Sequence, residues 1–218
     1  MSQDVDSTST PVPTDEGTPE LEPFNAVRPR EMDTTAEAVT ARARHVFGNP
    51  DAEICIVEFG DYECPYCAGA APALHELVES SDGRIRLVFQ NFPLFETHPF
   101  ALTAALAAES AEVTGGSEVF WKMHHKLFKN QTRLTDGDLR LYAEFVGADP
   151  DRAAGEKAQE FAPLVQADYA AGIASGVVGT PTLFIDGAPY QGVVDVPSLR
   201  RAALGNSAPA RRRRFGRG

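Results

Sequence analysis

"FGDYECPYCAGAAPALHELV", residues 59–78, joins the end of an apolar run to a helical pattern and carries two cysteines three positions apart. The apolar run AEICIVEF (52–59) and a second run, RIRLVFQNF (84–92), have the length and the β-branched content of buried strands. Between these runs, apolar residues recur at helical spacing. Two strands joined by a helix form a right-handed βαβ unit with parallel strands. The sequence therefore predicts that Cys64 and Cys67 lie at the C-terminal edge of a sheet.

The position of each cysteine on the predicted helix indicates a redox pair. The turn-prone residues GDYE (60–63) end where the helix should begin, which places Cys64 in its first turn, followed by Pro65. Unpaired backbone N–H groups and the positive end of the helix dipole stabilise a thiolate there. Cys67 lies one turn further on, where it can attack a mixed disulfide formed on Cys64 and release the product.

Two other interpretations of the cysteine pair remain open. A zinc site needs four ligands, commonly a second Cys or His pair, and the sequence offers none at suitable spacing. The remaining cysteine, Cys55, lies within a predicted strand, where a small buried residue is expected. His124 and His125 are adjacent on a predicted helix and point in different directions. We therefore expect no metal and no organic cofactor; chance proximity of two unrelated thiols is the other alternative.

Composition predicts one domain flanked by two tails. The chain has 218 residues, of which 43% are hydrophobic, enough for one ordinary core. Residues 1–37 contain nine acidic and two basic side chains and few large apolar ones, so we expect a disordered acidic tail. Residues 207–218 are expected to form a disordered basic tail. The domain between them spans 38–206, and the net charge of −11 argues against nucleic acid as a partner.

The sequence also predicts the cellular compartment of the protein. No stretch approaches the roughly 20 apolar residues that cross a bilayer, and the chain begins with neither a basic nor a hydrophobic region. We therefore expect a cytoplasmic monomer with no membrane partner. Thiols are kept reduced in the cytoplasm, where a C-x-x-C pair is more often catalytic or metal-binding than structural.

Residues 96–176 have a helical pattern that differs from the flanking segments. Four helical stretches with glycine-containing breaks between them predict an all-helical insertion of about eighty residues. Two buried stripes are expected, formed by Phe120, Met123 and Leu127 and by Leu139, Tyr142 and Phe145.

A hairpin and a short helix are predicted to end the domain. PTLFID (181–186) and PYQGV (189–193) are short strands around the turn signal Asp186-Gly187, which predicts an antiparallel hairpin. VPSLRRAAL (196–204) is predicted to form the last helix.

With these features, residues 44–204 resemble the thioredoxin-fold disulfide oxidoreductases, and within them the DsbA-like branch. CPYC matches the active-site motif, which makes Cys64 the nucleophile and Cys67 the resolving cysteine. Pro72 matches a proline of the active-site helix, and the long helical insertion is typical of the DsbA-like branch. The resemblance implies an α/β thioredoxin fold with an inserted helical subdomain.

The resemblance also implies roles for residues outside the motif. Glu58 matches a buried carboxylate beneath the active site, and burial in an apolar strand would raise its pKa and suit it to proton transfer. GVVGTPTLFIDG (176–187) matches the segment with a cis-proline, which makes Pro181 that residue and Thr180 the one before it. A water-exposed Glu58 and an ordinary trans Pro181 are the alternatives. Together with Pro65, Tyr66 lies in the predicted substrate-binding surface.

One departure from the DsbA-like pattern bears on the direction of the reaction. DsbA proper has a histidine at the position of Tyr66. This chain has a tyrosine there, and so do glutaredoxins. We expect a thiol–disulfide oxidoreductase that reduces, isomerises or forms disulfides in protein or small-molecule substrates, with a redox partner not yet identified. The alternatives are a glutathione-linked reductase and a non-catalytic chaperone or binding module on the same fold.

Overall fold

Five strands form one mixed sheet in residues 44–205, the part of the chain that the computed structural model describes. The strands are β1 (His45–Gly48), β2 (Ile54–Gly60), β3 (Ile85–Asn91), β4 (Thr182–Ile185) and β5 (Ala188–Tyr190), in the spatial order β1-β3-β2-β4-β5. The central pair, β2 and β3, is parallel, and the other three pairs are antiparallel. The two predicted tails lie outside the described residues.

Most of the helical residues separate β3 from β4. The helices are α1 (Pro65–Glu79), α2 (Ala101–Lys129), α3 (Asp136–Val146), α4 (Ala162–Ala174) and α5 (Val196–Gly205), with a 3-10 helix at Glu156–Phe161. Helix α1 connects the parallel strands, as predicted. The 3-10 helix and α2 to α4 form the predicted all-helical insertion, so the predicted α/β architecture is confirmed.

The middle strand β2 is buried on both faces, which explains why its sequence is continuously apolar. Side chains alternate between the two faces of a strand. Ile54 and Ile56 belong to the core shared with α1, whereas Cys55, Val57 and Phe59 belong to a second core cluster against which part of α4 packs. By this alternation, Glu58 lies on the same face as Ile56, the face covered by the helix that carries the cysteines.

Strand β1 was not predicted. It has four residues with mixed burial, too few for a clear alternation of apolar and polar side chains. Tertiary contacts hold it in place: it pairs with β3, and the Trp121 indole N–H of α2 donates a hydrogen bond of 3.0 Å to the Val46 carbonyl. The His45 ring also stacks on Phe120, with ring centroids 3.7 Å apart.

Helix α2 contains the break that was predicted within the insertion. Gly116 has φ 74° and ψ −173°, whereas the residues on both sides continue as helix to Lys129. Glycine adopts this positive φ without the steric cost that a side chain would add. The two predicted helical segments thus form one long, interrupted element.

One of the two predicted stripes is wrong at its last member. Phe120, Met123 and Leu127 are buried as predicted, but Phe145 is 75% exposed. A separation of six residues turns a side chain about 240° around a helix from Leu139. The buried face of α3 instead consists of Leu139, Tyr142, Ala143 and Val146. The Phe145 ring packs under the Lys126 ammonium, which lies 4.1 Å from the ring centroid.

The closing hairpin follows its turn signal. Asp186 has φ 49° and Gly187 φ 79°, the left-handed pair that a tight two-residue hairpin turn requires. The Asp186 backbone N–H donates to the Cys55 carbonyl, and its carboxylate accepts the Cys55 N–H, both at 2.8 Å. These bonds fix the turn against β2 and set the position of β4 beside it.

Replacing Phe120 and Phe145 separately with Ala tests the corrected core. Phe120→Ala should lower the free energy of unfolding by about 3–5 kcal/mol, because a fully buried ring leaves a cavity. Phe145→Ala should change it by less than about 0.5 kcal/mol, because the ring is mainly exposed. Urea unfolding followed by circular dichroism measures both; similar losses in the two variants would contradict the assignment of the buried face.

Candidate active site

Cys64 occupies the N-cap of α1, immediately before Pro65, as the sequence predicts. Its backbone is extended (φ −72°, ψ 120°), and its carbonyl accepts a hydrogen bond from the Ala68 N–H at 3.2 Å, in the first turn of the helix. The residue is only 3% exposed. Cys64 therefore lies at the N-terminus of the helix in a largely enclosed site.

Two polar side chains that the sequence analysis missed hold the turn before α1. The Asp61 carboxylate accepts the backbone N–H of Glu63 at 2.7 Å, and the Asp61 carbonyl accepts that of Cys64 at 3.2 Å. The Gln131 amide donates to the carbonyls of Tyr62 and Cys64 at 2.9 and 2.8 Å. An aspartate in a turn-prone segment is a recognisable signal for the first contact. Nothing local indicates Gln131, which comes from the helical insertion.

The Cys64 thiol is activated. Its pKa is lowered to about 5, and the largest cause is a hydrogen bond with the Cys67 side chain. Burial opposes this shift. The Thr180 side chain and the backbone N–H groups of Cys67 and Tyr66 lower the pKa further. These contacts stabilise the thiolate more strongly than the thiol. Cys64 is therefore a thiolate at neutral pH and has the character of a nucleophile.

The second thiol behaves in the opposite way. Cys67 is fully buried, and its hydrogen bond with Cys64, its burial and the charge of Glu58 raise its pKa far above the usual range of a thiol. The structure contains both cysteines in the free form. One sulfur thus carries the charge while its neighbour keeps its proton, as a nucleophile and a resolving thiol require.

Glu58 lies in β2 between apolar neighbours on both sides. Its register partners are Phe89 of β3 and Leu183 of β4, and neither of its carboxyl oxygens has a hydrogen-bond partner among the described residues. Burial, together with the charge of Cys64, raises its pKa to about 8. The alternative of a water-exposed Glu58 is excluded, because the residue is fully buried.

The loop before β4 faces the nucleophile. The Thr180-Pro181 peptide bond is cis, as predicted, and the Cys64 sulfur lies 3.4 Å from the Thr180 carbonyl oxygen. Thr180 and Pro181 are partly exposed, and Tyr66 is 77% exposed on the same helix turn as Cys64. The fold thus brings together the predicted motif, carboxylate and loop, while Cys55 lies in the core cluster on the other face of β2.

One group of buried side chains in residues 44–205 has the spacing of a metal site. It consists of His45, Glu109 and Asp168, all of which are buried. The Arg44 guanidinium donates to Glu109 at 2.7 Å and to Asp168 at 2.9 Å. The arginine thereby supplies the positive charge that a metal ion would bring to these carboxylates.

Comparison with known proteins establishes the family. The family model described as Thioredoxin matches residues 40–203, so the chain belongs to the thioredoxin family. Among solved structures, a thioredoxin-like oxidoreductase from Silicibacter pomeroyi is 29% identical, with a TM-score of 0.65 over 78% of this chain and 95% of that one. BdbD from Bacillus subtilis is 24% identical, with a TM-score of 0.68 over 75% and 92%. The predicted thioredoxin fold with an inserted helical subdomain is confirmed.

The curated relatives are longer proteins. The Na(+)/H(+) antiporter NhaA 3 of Salinispora tropica is 38% identical over 170 residues, which is 78% of this chain and 26% of the antiporter. NhaA 1 of Mycolicibacterium gilvum is 36% identical over 161 residues, 72% and 26% of the two chains. This chain thus spans about a quarter of the length of these relatives. Within residues 44–205, none of the helices has the length and apolar character needed to cross a membrane.

The activation of Cys64 can be measured directly. Thiolate absorbance at 240 nm should titrate with an apparent pKa near 5. Replacing Cys67 with Ala should raise that value by about one unit or more, because a hydrogen bond to a charged group contributes roughly 1.5–3 kcal/mol. Cys67→Ser, which keeps a donor, should fall between the two. An apparent pKa of about 8 in the wild type, close to that of a free thiol, would contradict the assignment.

Glu58→Gln should remove a pH-dependent cost of folding. Because the pKa of Glu58 is about 8 when folded against 4.5 for the free group, the folded state keeps a proton that the unfolded chain releases. Stability therefore falls as pH rises through this window. The advantage of the Gln variant over wild type should grow by up to about 1.4 kcal/mol per pH unit between pH 5 and 8.

Urea unfolding at several pH values measures this advantage. Glu79→Gln, at an exposed position on α1, is the matched control and should show no such trend. A constant difference between Glu58→Gln and wild type across the window would show that Glu58 is ionised in the folded protein.

Proposed function

We propose that this protein catalyses thiol–disulfide exchange through Cys64 and Cys67, with protein or small-molecule disulfides as substrates. The observation that carries the proposal is the opposite ionisation of two thiols on one helical turn: the pKa of Cys64 is about 5 and that of Cys67 is strongly raised. A structural pair of thiols has no need for this difference. The membership of the chain in the thioredoxin family supports the same chemistry.

In the reducing direction the reaction has two exchange steps. The Cys64 thiolate attacks one sulfur of the substrate disulfide, a mixed disulfide forms, and the other substrate sulfur leaves as a thiolate. Cys67 then loses its proton and attacks the Cys64 sulfur. The Cys64–Cys67 disulfide forms and the second substrate thiolate leaves. Two electrons pass to the substrate, whose two thiolates take up protons; oxidation is the reverse sequence.

The charge of Cys64 links these steps to proton transfer. The Cys64 thiolate contributes to the raised pKa of both Glu58 and Cys67. Once Cys64 is part of a mixed disulfide this charge is gone, so both groups release protons more easily. Glu58 can then ionise and accept the proton of Cys67 during the second attack. We assign Glu58 this role as general base.

The surface around Cys64 fits an extended polypeptide substrate. The Thr180 carbonyl lies 3.4 Å from the Cys64 sulfur, and the segment before β4 is partly exposed. Backbone groups at such an edge can pair with a substrate strand. Tyr66 and Val178 are exposed apolar side chains on the two segments that meet there. We propose that these segments, together with Pro65 and Pro181, hold the substrate chain beside the nucleophile.

The exchange chemistry is proposed for this chain, but ion transport is not. The antiporter relatives are about four times as long as the segment that they share with it. The direction of net electron flow is proposed to be reducing or isomerising, because Tyr66 supplies no positive charge within the motif. The regenerating partner is a thiol–disulfide couple of the compartment, and the cytoplasmic location stays a prediction.

Insulin reduction in the presence of dithiothreitol tests the function. Wild type should accelerate precipitation of the insulin B chain. With Cys64→Ala the precipitation rate should equal the uncatalysed rate, because the attacking thiolate is lost. Cys67→Ala should accumulate a mixed disulfide detectable by mass spectrometry.

Cys55→Ala is the matched thiol control, because Cys55 is buried away from the motif, and it should keep wild-type activity. Equal rates for wild type and Cys64→Ala would favour a non-catalytic binding module on the same fold.

A further inference from the structure

A buried acidic side chain lies next to the nucleophile in the chain. Asp61 is 1% exposed and three residues before Cys64. Its carboxylate accepts hydrogen bonds from the backbone N–H groups of Glu63 at 2.7 Å and Leu94 at 2.8 Å. Its own carbonyl accepts the Cys64 N–H. The carboxylate therefore joins the turn before α1 to the segment that follows β3.

A negative charge in this position works against the chemistry of the site. A like charge close to a thiol disfavours the thiolate, and burial strengthens the effect because solvent screens it less. Cys64 nevertheless has a strongly lowered pKa. Its own hydrogen bonds stabilise the thiolate, and none of those that lower its pKa involves the Asp61 side chain.

His98 provides the compensating charge. Its Nδ1 lies 2.8 Å from the Asp61 carboxylate, on the same oxygen that accepts the Leu94 N–H. The His98 backbone N–H donates to the Leu94 carbonyl at 2.8 Å, which holds the residue in a turn over Asp61. The His98 side chain is 22% exposed, so the imidazolium keeps contact with water while one N–H is directed at the buried carboxylate.

We propose that His98 is a positioning residue for the nucleophile: as an imidazolium it neutralises the buried Asp61 carboxylate and so allows the Cys64 thiolate to form beside it. The histidine that DsbA places inside the cysteine motif is Tyr66 here. His98 instead supplies a positive charge from the segment between β3 and α2. This assignment deepens the proposed function, on which its catalytic consequence rests.

The charges around His98 agree with this role. Burial lowers the pKa of His98, but the hydrogen bond and charge of Asp61 and the charges of Cys64 and Glu63 raise it above the usual value overall. Coupling between two titrating groups is reciprocal. Because the Cys64 thiolate favours the charged His98, the charged His98 favours the Cys64 thiolate to the same extent. The Glu63 carboxylate accepts a hydrogen bond of 2.7 Å from the Phe100 backbone N–H.

The consequence for the reaction is a change in redox poise. Groups that stabilise the thiolate stabilise the reduced protein and make its disulfide a stronger oxidant. His98 is charged below its own pKa and loses this effect as pH rises through that value. The disulfide should therefore be more oxidising, relative to a variant without the charge, on the acidic side of the His98 titration.

His98→Gln is the central test, because glutamine keeps a hydrogen-bond donor for Asp61 but removes the charge. The apparent pKa of Cys64, read from thiolate absorbance at 240 nm, should rise by about half a unit, a roughly threefold loss in its ionisation constant. The equilibrium constant with glutathione should change about threefold in the reducing direction, equivalent to about 14 mV. The gap should close as pH rises above the pKa of His98. The thiolate titration needs no substrate, so it remains informative even if insulin reduction fails.

Two further variants separate charge from structure. Thr97→Ala removes a hydroxyl bond to the Leu94 carbonyl in the same turn without changing charge, and it should leave the Cys64 pKa unchanged. In an Asp61→Asn background, His98→Gln should raise the Cys64 pKa by less, because the carboxylate to be neutralised is gone and only the direct interaction of His98 with Cys64 remains. An unchanged Cys64 pKa in His98→Gln, or an equal rise in both backgrounds, would overturn the proposal.

Discussion

The hydrogen bond between Cys64 and Cys67 is the interaction on which the rest of the site depends. It lowers the pKa of one thiol and raises that of the other, so a single contact assigns the two roles. The contact exists because three residues make nearly one turn of helix. The N-terminus of α1 adds the backbone N–H groups of Tyr66 and Cys67 as donors to Cys64. The difference in pKa between the two thiols therefore follows from the position of the motif at the start of the helix.

The largely enclosed Cys64 is surrounded by groups from several parts of the fold. The sheet contributes Glu58, which interacts with Cys64 and Cys67 from the face of β2 that α1 covers. The segment before β4 contributes Thr180, and the helical insertion contributes the Gln131 amide that caps the turn. The insertion thus helps to hold the active-site turn in place.

A buried ionic cluster attaches the insertion to the sheet. Arg44 and His45, at the start of the sheet, bond to Glu109 in α2, and Arg44 also bonds to Asp168 in α4. Asn91, at the end of β3, donates to both carboxylates. Such a cluster is costly to break, because removal of one partner leaves an unpaired buried charge. The cluster thus holds α2 and α4, the helices that precede Gln131 and the segment before β4, against the sheet.

The sequence by itself determined the features whose physical cause is local. The cysteine spacing, Pro65 at the first helical turn, the apolar run of β2 and the Asp186-Gly187 turn each depend on neighbours within a few residues, and each was predicted at its observed place. The tertiary structure alone decided the contacts between distant segments. Gln131 meets Cys64 across 67 positions, and His98 meets Asp61 across 37. Phe145 was misplaced because the face of α3 that is buried depends on what packs against it. Local patterns state which conformations a segment prefers, whereas the ionisation of a buried group depends on every charge and donor that the fold brings within a few ångströms of it.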